Sequence, residues 1–135
     1  MKSYTDLEQS KKLAEILPIE SADMKWFIPA DNEGEFTEEV TFIENKSEYS
    51  LFDKVTDWND TPYVPCWSLA ALLSIIPKHI KDYNVFRIDI GDNDFAIWYD
   101  EVGYGVNNDL PNITTESPID ACVELIEKLH EQKLL

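Results

Sequence analysis

The fold is decided by Val85-Phe86-Arg87-Ile88-Asp89-Ile90-Gly91-Asp92-Asn93-Asp94-Phe95-Ala96-Ile97-Trp98-Tyr99. Phe86, Ile88 and Ile90 alternate with Arg87 and Asp89, the period of a strand whose side chains point to opposite faces in turn. Phe95, Ile97 and Tyr99 alternate again, with Ala96 and Trp98, after Gly91-Asp92-Asn93-Asp94, residues suited to a tight turn. Two alternating runs about so short a connection make an antiparallel hairpin. Val102, Tyr104 and Val106, spaced by Gly103 and Gly105, add a third strand that ends at Asn107-Asn108-Asp109. A three-stranded meander over about 85–106 is therefore expected, with connections too short for parallel crossovers.

On the C-terminal side, Ser117-Pro118-Ile119-Asp120 opens a helix with a serine cap, a proline at the first position and an acid in the first turn. Ile119, Cys122, Val123, Ile126, Leu129 and His130 line one face of this helix, expected over about 118–132. On the N-terminal side, Leu69, Leu72, Leu73 and Ile76 mark a helix over about 67–76, bounded by Pro65 and Pro77. Thr5-Asp6-Leu7-Glu8 has the form of a capping box for a first helix over about 6–17, stopped by Pro18. Short strands are expected over 24–28 and 39–43, and Tyr49-Ser50-Leu51-Phe52 forms another or tethers a loop. The class is α+β: an antiparallel sheet that includes the meander, packed with three helices.

The chain has 135 residues, 44% hydrophobic with four tryptophans, enough for one domain over 1–135 with its own core. It carries 11 basic and 27 acidic residues, a formal net charge of -16. The excess is segregated. Residues 31–60 hold ten acids against Lys46 and Lys54, and residues 82–120 hold nine against Arg87 alone. Residues 61–81, between them, have no acid and two lysines, Lys78 and Lys81. This balance opposes direct binding to nucleic acid or anionic lipid, which needs a basic patch. No run of 18 apolar residues offers a membrane span, and Met1-Lys2-Ser3-Tyr4-Thr5-Asp6 lacks the apolar stretch of a secretory signal. Cys66 and Cys122 make no disulfide framework. A cytoplasmic protein is expected.

Few residues point to chemistry. Asp89, Asp92, Asn93, Asp94, Asp100 and Glu101 gather oxygens near the hairpin turn, but a calcium loop would need a glycine at its sixth place and helical flanks. His79 and His130 lack partners at zinc-ligand spacing, so neither metal nor cofactor is expected. No phosphate-cradling glycine loop and no Gly-x-Ser-x-Gly elbow occurs. Cys66-Trp67 at a predicted helix start resembles the Cys-Trp pair of papain-like proteases, without their preceding Cys-Gly-Ser. The enzyme reading would pair Cys66 with His79 or His130; the simpler reading is a small apolar residue in the core. The stretch Trp58-Asn59-Asp60-Thr61-Pro62-Tyr63-Val64-Pro65-Cys66-Trp67 reads as a stiff loop. Its aromatics Trp58, Tyr63 and Trp67 form a candidate binding patch, or cover the core edge.

Three stretches carry a resemblance. Thr5-Asp6-Leu7-Glu8-Gln9-Ser10-Lys11-Lys12-Leu13-Ala14 with Glu20-Ser21-Ala22-Asp23-Met24 is one. Cys66-Trp67-Ser68-Leu69-Ala70-Ala71-Leu72-Leu73 and Glu116-Ser117-Pro118-Ile119-Asp120-Ala121-Cys122-Val123 are the others. Together they resemble small acidic hypothetical proteins of gut Bacteroidota and their phages or mobile elements. The likeness implies a genomic setting and carries over no activity, cofactor or catalytic residue. The expected function is that of a non-enzymatic, acidic protein-interaction module with a protein partner, a basic one favoured by the acidic faces. Two alternatives stand beside it: a nucleic-acid mimic that inhibits a DNA-binding protein, and a Cys66-dependent enzyme.

Overall fold

Strand alternation and helix capping build the elements in chain order. The computed structural model describes residues 2–29 and 38–135; the opening of the acidic segment 31–60, through Thr37, lies outside the described residues. The elements fall into two compact units, one from Tyr4 to Ala71 and one from Leu72 to Leu135 with the first residues of the chain.

In the first unit, α1 spans Leu7–Ile16. Its cap is Asp6, not Thr5: the Asp6 carboxylate accepts from the Gln9 amide at 2.8 Å, and the Gln9 side chain accepts from the Asp6 amide at 3.1 Å. These bonds satisfy orphan amides of the first turn. The strands β1 (Met24–Phe27), β2 (Glu39–Phe42) and β3 (Tyr63–Cys66) form an antiparallel sheet with β1 in the middle. In this register Met24 faces Phe42 on one side and Cys66 on the other.

Residues 63–66, expected in a loop because of Pro62 and Pro65, thus form an edge strand. Ile28 donates its amide to the Pro62 carbonyl at 2.7 Å. Hydrogen-bonded pairs alternate along the ladder, so Pro65 opposite Lys25 falls on a pair that needs no amide. Short 3-10 helices occupy Ile19–Ser21 and Lys46–Phe52. The second replaces the strand or tether expected at 49–52. The helix α2 (Leu69–Ile75) begins later than expected, capped by Ser68, whose hydroxyl accepts from the Ala71 amide at 3.2 Å.

In the second unit, β4 (His79–Ile80), β5 (Asn84–Ile90), β6 (Phe95–Glu101) and β7 (Gly105–Val106) are neighbours in that order. A fifth strand, β8 (Ile113–Thr115), pairs with the start of β6. The hairpin is confirmed, with Phe86 opposite Tyr99, Ile88 opposite Ile97 and Ile90 opposite Phe95. The third strand is shorter than expected. Gly103 lies at a φ of +87° in a turn closed by the Tyr104 amide on the Glu101 carbonyl at 2.9 Å. Only glycine takes that conformation readily, so the chain turns there and pairing resumes at Gly105. Val102 and Tyr104 are exposed as a result.

The helix α3 (Pro118–Glu131) starts where its sequence says, with the Ser117 hydroxyl accepting from the Asp120 amide at 3.3 Å. It packs on β6 and β8, burying Ile119, Cys122, Leu125, Ile126 and Leu129 with Ile97 and Tyr99. His130, expected on the buried face, is exposed.

The class is α+β, but the architecture differs from one sheet with three helices over 6–17, 67–76 and 118–132. Among the described residues there are two antiparallel sheets, of three and five strands, and the 3-10 helices add to the α-helices. The three-stranded sheet is hidden in the sequence because β3 contains a proline, and the full width of the five-stranded one because β4, β7 and β8 are two or three residues long, too short for an alternation to register.

Candidate functional site

The three aromatics read as one patch each dock on a different partner. Trp67 is 0% exposed and donates its indole N–H to the Ser21 hydroxyl at 3.0 Å. It belongs to the core, which corrects its assignment to a binding loop. Tyr63 lies on β3 with its ring 5.2 Å from that of Phe27. Trp58 is half-buried, its ring 6.2 Å from that of Phe52. Beside them, Ile28, Pro29, Asn59, Asp60, Thr61 and Pro62 line an open groove of about 380 Å³.

The thiol of the enzyme reading is not at a helix start. Cys66 ends β3, wholly buried, and its Sγ lies 3.4 Å from the Thr5 carbonyl and 3.5 Å from the Thr5 hydroxyl. Thr5 is the hub of this cluster. Its hydroxyl meets the Ser10 hydroxyl at 2.7 Å and accepts from the Trp67 amide at 3.2 Å. Its carbonyl accepts from the Trp26 indole at 3.2 Å. Burial pushes the Cys66 thiol up, and the hydrogen bonds from Thr5 and Ser10 offset this only in part. Such a thiol stays protonated at neutral pH and is a poor nucleophile. Cys122 is likewise buried and pushed up to about 12. His79 and His130 are both exposed. Among the described residues no group of His, Cys, Asp and Glu is placed to hold a metal ion, and no helix is long and apolar enough to cross a membrane.

The feature that sequence reading missed is the outer edge of β5. Ile88 and Ile90 share the sheet face of Ile97 and Phe95, yet they are 43% and 76% exposed while Ile97 is 0%. The cause is geometric. One helix about 10 Å across covers roughly two strands spaced about 4.8 Å apart, and α3 covers β6 and β8. The signal was in the sequence: one C-terminal helix against a sheet more than two strands wide.

Among the described residues the backbone of this edge is also open. The Gly91 amide donates to the Asp94 carbonyl and the Val102 amide to the Tyr83 carbonyl, both at 2.9 Å. Odd-numbered residues of β5 therefore bond to β6, and even-numbered ones point outward. Phe86 donates outward to the Lys78 carbonyl at 2.9 Å, where the chain leading into β4 ends its cover. Beyond it, the N–H and C=O groups of Ile88 and Ile90 meet no partner among the described residues. Carboxylates frame the strip: Asp89, Asp92 and Asp94 are exposed, while Arg87 is engaged by Asp100 at 3.3 Å. Comparison with protein-family models, with curated proteins and with solved structures finds no match to this chain.

Proposed function

We propose that this chain is a non-enzymatic, acidic protein-interaction module of the cytosol, encoded by an accessory or mobile-element gene, whose partner is a basic protein. The observation that carries this reading is the free edge of β5, where Ile88 and Ile90 stand exposed among Asp89, Asp92 and Asp94. A large apolar side chain left in water costs free energy that a partner's surface recovers. The surrounding carboxylates raise the encounter rate with a cationic partner and repel anionic ones, nucleic acid included. The two thiols, buried and held protonated, fit this role as packing groups.

The test is a cross-linked pull-down from the native host, followed by titration of the recovered protein at low and high salt. The reading requires affinity to fall about tenfold or more as salt screens the charges. Affinity indifferent to salt overturns it.

A further inference from the structure

We infer that the free edge of β5 accepts an extended cationic segment of the partner as an added strand. The inference rests on the reading of the chain as an interaction module and specifies what it binds.

Four backbone groups, the N–H and C=O of Ile88 and of Ile90, point away from β6 and meet no partner among the described residues. A guest strand takes up all four, and its side chains supply selectivity on each face of the sheet. On the face shared with Ile97, guest residues lie opposite Ile88 and Ile90, so apolar residues fit there. On the other face, the guest residue between them lies opposite Asp89. No described lysine or arginine pairs with Asp89, Asp92 or Asp94, whereas Arg87 is held by Asp100. A lysine or arginine opposite Asp89 therefore gains an ion pair, and an acid there is repelled. The matching segment alternates apolar and basic residues.

A second copy of this chain is the obvious competitor for an open edge, and the local sequence opposes it. In a two-fold antiparallel pairing with Ile88 opposite Ile90, Asp89 faces its own copy. With Ile88 opposite Ile88, Ile90 of one chain falls opposite Phe86 of the other, a place already taken by Lys78. The net charge of -16 on each chain adds general repulsion. Asp89 thus opposes the register in which a second copy would use both isoleucines, and favours a cationic guest.

The experiment follows amide hydrogen exchange of the full chain by NMR with a capped octapeptide of alternating lysine and valine. Two control peptides replace every lysine with glutamate, or carry N-methyl groups on the valines whose amides would face the edge. With the lysine–valine peptide near saturation, exchange at Ile88 and Ile90 slows about tenfold, and neither control protects them. Ile90→Lys, a change at an exposed site, weakens the peptide's binding about tenfold, and Asp89→Asn weakens it several-fold. Equal protection by the N-methylated peptide overturns strand addition, as does binding that leaves Ile88 and Ile90 unprotected. The interaction reading survives both of those results. Protection that rises with protein concentration alone overturns the inference in favour of a second copy. Salt-indifferent binding of the native partner removes the interaction reading itself, whatever the peptide does.

Discussion

β5 and β6 are neighbours that place large apolar residues at every second position, Phe86, Ile88 and Ile90 in one and Phe95, Ile97 and Tyr99 in the other, and they meet opposite fates. β6 buries Phe95, Ile97 and Tyr99, whereas β5 leaves Ile88 and Ile90 in solvent on the same face. Alternation therefore tells which residues share a face, and the neighbouring helix decides whether that face is dry. The hydrophobic effect acts on area removed from water, not on residue type.

The sharpest way to break the comparison is to truncate both isoleucines. Ile97→Ala removes a fully buried side chain and is expected to cost about 2–5 kcal/mol in urea denaturation. Loss of the Ser117 cap, which starts the helix covering Ile97, comes next: Ser117→Ala is expected to cost about 1 kcal/mol. Ile90→Ala removes the same atoms as Ile97→Ala from a mostly exposed site, with an expected change within about 0.5 kcal/mol. Similar costs for the two isoleucines would mean that something covers the β5 edge.

The smallest effect belongs to the other unit and sharpens the contrast by its pH dependence. Glu48 is held at about 2, below its ordinary 4.5, first by the hydrogen bond from Lys25, then by the amides of Asn45 and Glu44. Because its folded value is depressed, its contribution is complete above pH 4.5 and is lost as pH falls toward 2. Glu48→Gln should lower the urea midpoint at pH 6 and match the wild type near pH 2. The difference between Ile97→Ala and Ile90→Ala involves no ionisation and should persist across that range.

The hairpin and α3 were legible in the sequence because each carries several independent signals. In the hairpin these are two alternating runs and a turn; in α3 they are a cap, a proline and an apolar stripe. The three-stranded sheet was not, because Pro62 and Pro65 mimic a loop and only the ladder register shows that Pro65 needs no amide. Thr5 has the spacing of a cap, but Asp6 beside it does that work, and Thr5 instead ties Ser10, Trp26, Cys66 and Trp67 together. Such a hub depends on residues sixty positions apart and leaves no local pattern. Of the candidate binding residues, Trp58 and Tyr63 remain half-buried at the surface and Trp67 is core. The open edge escaped because apolar residues in a strand are ordinarily assigned to the core.

Hydrogen exchange of the free protein, residue by residue along β5, tests the central claim most directly. With the edge open, the amides of Ile88 and Ile90 exchange fast while those of Arg87 and Asp89, which point at β6, exchange slowly. Uniform protection of all four would contradict the account, because it would mean that this edge already has a neighbour.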